Sequence, residues 1–214
     1  MASPSIVRER VLGWARPIHR KLRGRKVARF LDLAGNERPG QLLDIGGGVG
    51  IDGEFRPVYE RFAAVTVINL EPKTLDDDGT QDYRLVLGDG CQLPFSARSF
   101  DWVFSNAVIE HVGGWERQKR FAEEIRRVAS KGYFVTTPDK YFPIEPHTLC
   151  PCYQFLPVAA QKRFVRYTPG YLTQYEEINL LSSKQLRILF PEAEIQRVGF
   201  PVWGNSLVAL CRFS

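Results

Sequence analysis

The run Leu42-Leu43-Asp44-Ile45 passes directly into Gly46-Gly47-Gly48-Val49-Gly50, with glycines at alternate positions 46, 48 and 50. An apolar strand that ends this way turns sharply, and without Cβ atoms a ligand can come against the main chain. No other stretch constrains the fold as tightly, because it calls for a sheet whose strand ends open onto a ligand crevice. The motif alone does not choose the ligand, since glycine-rich turns after strands occur in many α/β proteins. Gly48-Val49-Gly50-Ile51-Asp52-Gly53 fits the G-x-G-x-x-G dinucleotide fingerprint, yet it begins two residues after the first glycine beyond the strand.

The pattern around this turn is regular. Short apolar runs predict strands at 41–45, 64–70, 83–87, 100–105 and 132–137. Between them, Phe55, Val58, Tyr59 and Phe62 share one helical face, as do Phe121, Ile125 and Val128. Strand–helix alternation of this kind predicts a parallel, doubly wound sheet. The C-terminal part differs. Ser182-Ser183-Lys184-Gln185 has the form of a capping box and opens a helix carrying Leu186, Leu189 and Phe190. Residues 194–200 and 206–213 then read as strands joined by a short turn around Trp203-Gly204-Asn205, which can only pair antiparallel. The expected fold class is α/β: a Rossmann-like doubly wound sheet, mostly parallel, finished by an antiparallel C-terminal hairpin.

A length of 214 residues fits one domain with an appended arm. The net charge of +5 is unevenly spread: residues 1–30 carry nine Lys/Arg against Glu9 alone, giving +8. The remaining 20 basic and 23 acidic residues leave a body of −3, so the basic charge belongs to residues 1–36 and not to the domain at 37–214. This weakens any argument from charge for a nucleic-acid substrate. In the arm, Val7, Val11, Trp14, Ile18 and Leu22 fall near helical spacing, with Pro17 expected to break the pattern into two helices. The stretch reads either as surface helices packed on the body or as an amphipathic arm meeting an anionic membrane or substrate. Cys150-Pro151-Cys152 is too tight for a zinc knuckle and no second pair follows it, so no metal is expected and the four cysteines read as reduced thiols. No apolar run reaches the ~18 residues of a membrane span, and no signal peptide is evident, which leads to the expectation of a cytoplasmic protein.

Further motifs follow in order. Val65-Thr66-Val67-Ile68-Asn69-Leu70-Glu71 closes the second strand, where a ribose-bearing cofactor wants a carboxylate, and Glu71 is the acid there. Next come Leu87-Gly88-Asp89-Gly90-Cys91-Gln92-Leu93-Pro94-Phe95, then Ser99-Phe100-Asp101-Trp102-Val103, then Asn106-Ala107-Val108-Ile109-Glu110-His111-Val112. Taken together, across residues 41–140, this series resembles the class I S-adenosylmethionine-dependent methyltransferases. The resemblance is to the bacterial group that includes ubiquinone- and menaquinone-biosynthesis enzymes and many small-molecule methyltransferases.

The resemblance implies S-adenosylmethionine as cofactor. It assigns Asp44, Gly46, Gly48 and Gly50 to the methionine and ribose end, Asp89 to the adenine amino group, Gly90 and Cys91 to the adenine edge, and Asn106 to the neighbourhood of the sulfonium. The family's ribose-binding acid falls at Asn69 in this sequence; either Glu71 substitutes for it or Asn69 makes a single neutral bond.

Methyl transfer from a sulfonium needs chiefly alignment, with a base only where the acceptor must lose a proton. His111, after the fourth strand, and His147, in the long segment 137–181, are the candidate bases. That segment, rich in proline and aromatics, reads as a lid over the acceptor. It favours a small-molecule, lipid-like or glycolipid-like acceptor methylated at oxygen, and the absence of an Asp/Asn-Pro-Pro-aromatic motif after the fourth strand argues against a nucleic-acid base. Two other classes compete. A nicotinamide-dependent dehydrogenase has no use for the Asp89-Gly90 and Leu93-Pro94-Phe95 series. A non-catalytic cofactor-binding subunit would keep the fold while losing acceptor residues, and measurable turnover separates it from an enzyme.

Overall fold

The computed structural model describes residues 4–35, 40–47, 55–70, 83–199 and 204–213. Helix α1 (Pro4–Ala34) precedes β1 (Gln41–Ile45), α2 (Arg56–Arg61), β2 (Ala64–Asn69), β3 (Tyr83–Leu87) and β4 (Phe100–Asn106). Then come α3 (Trp115–Val128), β5 (Ala129–Pro138), the short pair β6 (Ile144–Glu145) and β7 (Cys150–Pro151), and α4 (Val158–Phe164). Helix α5 (Ser183–Leu189), β8 (Glu194–Val198) and β9 (Ser206–Arg212) complete the order. One seven-stranded sheet has the order β3-β2-β1-β4-β5-β9-β8. Its first five strands pair parallel, and β9 runs antiparallel to both β5 and β8. The expected doubly wound sheet with a terminal hairpin is the fold observed. The later hairpin strand, β9, is the one that slots beside β5.

Alternating side chains build two cores, as the two-residue period of a strand requires. On one face Leu43, Ile45, Val103, Tyr133, Val135, Leu207 and Ala209 pack with Phe121, Ile125, Leu186 and Phe190. On the other, Leu42, Trp102, Phe104, Phe134, Val208 and Leu210 pack with Val58 and Phe62 and with Val27 and Phe30. The fully buried Phe30 ring stands 5.1 Å from Phe104, 5.4 Å from Phe134 and 5.9 Å from Phe62. The C-terminal half of α1 is thus a wall of the second core.

Pro17 does not split α1 into the two helices expected from the sequence. Both Pro17 and Gly13, whose carbonyl would have accepted the missing N–H, lie on the exposed surface, where solvent can serve that carbonyl. In α2, Pro57 stands at the helix start, where a missing N–H costs nothing. The Ser182 capping box closes as the sequence predicts, with Gln185 N–H bonded to Ser182 Oγ and the Gln185 side chain bonded to Ser182 N–H. No described helix is long and apolar enough to cross a membrane.

Candidate active site

Where strand order reverses, between β1 and β4, the carboxyl ends of a parallel sheet splay and leave a crevice. Here the crevice is a cleft of about 430 Å³, open to solvent. Its walls come from four strand ends: Ile45 and Gly46 after β1; Ile68, Asn69 and Leu70 at β2; Gly88, Asp89 and Gly90 after β3; and Val108, His111 and Val112 after β4. Phe121 and Arg117 from α3 close the far side.

Gly46 takes φ +77°, and a Cβ there would come 2.4 Å from the Val108 side chain, so both backbone and packing demand glycine. Its N–H donates to Ile68 O at 2.8 Å, and Asn69 Nδ2 donates to Gly47 O at 3.0 Å, tying the turn to the end of β2. Asn69 Oδ1 in turn accepts the Leu70 N–H. Asn69 therefore lines the cleft while spending hydrogen bonds on its shape. Asp89 stands at the rim, its Oδ1 accepting Cys91 N–H at 2.8 Å and its Oδ2 accepting Arg117 Nη2 at 2.8 Å. Partial burial works to raise the Asp89 carboxyl, but the Cys91 N–H and the Arg117 guanidinium outweigh it and hold it below the usual range. Burial pushes the Cys91 thiol up to about 11, so it stays protonated and inert.

Two residues expected at the cofactor, Asp44 and Asn106, are not among those lining this cleft. Asp44 is buried on the opposite face of β1 and accepts the Tyr59 hydroxyl at 2.5 Å; burial raises it to about 7 despite that bond. Asn106, at the end of β4, accepts Thr136 Oγ1 at 2.8 Å and Lys26 Nζ at 3.3 Å. Gly48, Gly50 and Glu71 lie outside the described residues.

A second group of polar residues adjoins the cleft. His111 is exposed on the cleft wall, and its ring centroid is 5.0 Å from that of the buried His147, edge to face. The 137–181 segment brings His147 here: Gly170 N–H donates to Thr148 O and Tyr171 N–H to His147 O. A Cβ on Gly170 would lie 2.2 Å from His147 O, so only glycine lets the chain pass this close. The segment has a small core of its own around Tyr153, Val165 and Leu172, and Arg8 of α1 donates to Thr168 O and Leu172 O.

His147 N–H and Nδ1 both meet Glu145 Oε1, while Glu145 Oε2 accepts the Thr148 N–H and hydroxyl. Burial would raise the Glu145 carboxyl, but these donors, the His147 ring first, hold it below the ordinary range. An ionised carboxylate only accepts, so His147 Nδ1 carries the proton and Nε2 is its available atom. Glu110 is fully buried; its Oε2 accepts Thr137 Oγ1 at 2.9 Å. Burial pushes its carboxyl up, against its own backbone N–H first, then His147, Thr137 and Lys26. Lys26, equally buried, is lowered to about 8 by burial, against the pull of Glu110. Sequence reading gave no role to Glu110, Glu145 or Lys26. The Glu110-His111 pair in the post-β4 motif was the available signal for the first, and nothing distinguished Lys26 among nine basic residues.

The fold, with a crevice at the β1/β4 switch point, a glycine turn and a carboxylate after β3, is that of a class I S-adenosylmethionine-dependent methyltransferase. The cleft suits this cofactor: Ile68, Leu70, Val112 and Phe121 give an apolar slot, and Asp89 keeps lone pairs for an amino group. Residues 43–136 match the family model described as a methyltransferase domain, so the chain carries an S-adenosylmethionine-dependent methyltransferase domain. No curated protein matches the sequence significantly. Among solved structures, a Pyrococcus horikoshii protein shares 15% identity over 88% of this chain and 89% of its own, with TM-score 0.63. An S-adenosylmethionine-dependent methyltransferase from Aquifex aeolicus shares 13% over the whole of both chains, with TM-score 0.59. One from Methanosarcina mazei shares 14% over 83% and 93%, with TM-score 0.55. These likenesses carry the fold.

Proposed function

We propose that the chain transfers the methyl group to a hydroxyl oxygen of a small lipid-like or glycolipid-like acceptor, with His111 and His147 facing that hydroxyl. One observation carries the reading: the imidazole pair at 5.0 Å joins the cofactor cleft to the 137–181 segment. The outer surface of that segment exposes Tyr141, Phe155, Leu156, Phe164 and Tyr167, an apolar face suited to a greasy acceptor.

Bound in the cleft, S-adenosylmethionine supplies a methyl group on an already activated sulfonium. Within this reading Gly46 and Asn69 shape the turn at the ribose, Asp89 holds the adenine amino group beside Gly90 and Cys91, and Glu71 remains the candidate acid for the ribose. The chain's task is alignment, exclusion of water by the 137–181 lid, and removal of one proton. On α1, Trp14 is 85% and Ile18 46% exposed beside Arg16, Arg20 and Lys21, a surface suited to an anionic bilayer holding such an acceptor.

The test is transfer of isotopically labelled methyl from S-adenosylmethionine to extracts fractionated into lipid, small-molecule, nucleic-acid and protein pools. Label should appear in the lipid or small-molecule pool and resist the base treatment that cleaves methyl esters, as an ether does. Label confined to nucleic acid or protein would overturn the acceptor class.

A further inference from the structure

We infer that Glu110, His111 and His147 form a binding site for one first-row divalent cation, placed between the cofactor cleft and the 137–181 segment. The cation's part in catalysis rests on the methyl-transfer reading above; its binding does not. One ligand atom from each residue lies within 4.8 Å of the other two. Bonds to such a cation of about 2.0–2.2 Å place neighbouring donors about 3.0–3.5 Å apart. Side-chain shifts of roughly 1–2 Å close the site.

Three independent features point to an occupant. Glu110 is fully buried, and its Oε1 has no hydrogen-bond partner among the described residues. A buried carboxyl oxygen left so is costly unless something charged or donating meets it. Lys26 attracts this carboxyl only through space; its ammonium makes its hydrogen bonds to Asn106 and Thr136. Second, the buried Glu145 carboxylate holds His147 by Nδ1 and fixes the ring with Nε2 as the ligand atom, the support that metal-binding histidines receive. Third, His111 is exposed on the cleft wall, so the group is closed by protein at Glu110 and His147 and open toward the cleft at His111. Three protein ligands with open positions are the mark of a catalytic rather than a structural metal site.

The ligand set selects the metal class. Two imidazoles and one carboxylate suit manganese, iron, cobalt or zinc better than magnesium, which prefers oxygen alone. At the open positions the cation would bind the acceptor hydroxyl and lower its pKa. The acceptor O–H bond then ionises, its proton passing to solvent. The O–CH3 bond forms as the sulfonium C–S bond breaks, leaving a neutral thioether. Nothing is oxidised or reduced.

Cobalt(II) reports the site directly. Chelator-treated protein, without S-adenosylmethionine or acceptor, should take up one equivalent of Co2+ and develop visible d–d bands, which Zn2+ displaces and Mg2+ does not. His111→Ala, at an exposed position, should abolish the bands with the thermal midpoint retained. Glu145→Gln should weaken binding by about 10–100-fold, the effect of losing an outer partner of a ligand. A featureless titration, or bands that survive His111→Ala, would overturn the site. Methyl transfer that persists undiminished in chelator would overturn its catalytic part, and because cobalt binding is read without cofactor, that failure stays distinct from failure of the methyl-transfer reading.

Discussion

Asp89 shows how one side chain can brace a cleft and still face into it. Its two oxygens brace the Cys91 N–H and Arg117 at the rim of the cleft, yet each retains a lone pair for an incoming amino group. Replacing it with alanine should weaken S-adenosylmethionine by roughly 1–3 kcal/mol, the range for removing one partner of a polar group. Calorimetry with the cofactor and with its demethylated product measures this. Unchanged affinity would place the adenine elsewhere, and tight binding of NAD in its stead would overturn the cofactor assignment. Residue identity made Asp89 and Gly46 legible in the sequence. Asp44, beneath the same turn, directs its carboxyl to the α1 side of the sheet, where it accepts the Tyr59 hydroxyl. Side-chain direction follows from strand register, and a one-residue change in register exchanges the two faces.

Among the elements, α1 was left open by its sequence between helices packed on the body and an arm meeting a membrane or substrate. In the structure Val27, Phe30 and Ala34 complete the core over β4, β5 and β9, and Arg29 reaches Gln196 on β8. Phe30→Ala should therefore destabilise the whole domain by about 3–5 kcal/mol, as for a buried aromatic ring. Chemical denaturation with two probes, tryptophan fluorescence and far-ultraviolet dichroism, would detect it. A loss below about 1 kcal/mol would show that α1 is dispensable to the fold. The 137–181 segment makes a related point. The sequence reads this proline- and aromatic-rich stretch as a lid without elements of its own; β6, β7, α4 and the Tyr153 core give it internal structure, and Gly170 locks it onto His147 and Thr148.

At the scale of the molecule, positive charge is spread along α1 while the remaining chain is mildly acidic. Near an anionic surface each Lys or Arg contributes about 1 kcal/mol, and salt screens it over roughly 8–10 Å. Sedimentation should show the chain pelleting with phosphatidylserine-containing vesicles at low salt. Release at high salt and no pelleting with neutral vesicles complete the expectation. Substituting Trp14 by serine should weaken the residual salt-resistant part, since that ring is 85% exposed and free to enter the interface. Equal pelleting with both vesicle types, or none with either, would leave α1 with its packing role alone.

The sequence by itself determined the architecture. Hydrophobic period and glycine placement are local quantities, so strand–helix alternation, the turn after β1, the Ser182 cap and the antiparallel ending could all be read along the chain. It also placed His111 and Asp89, because residues just beyond parallel strands fall at the crevice whatever the rest of the chain does. Tertiary structure alone decided which polar groups are buried together. Lys26, Glu110, Thr137, Glu145 and His147 come from α1, the turn after β4, β5 and the turn at β6. Their shared burial, the orphaned Glu110 oxygen and the 5.0 Å approach of the two histidines arise from the closure of α1 and the 137–181 segment over the sheet. Burial and proximity are sums over contacts distant in sequence, and no local pattern encodes them.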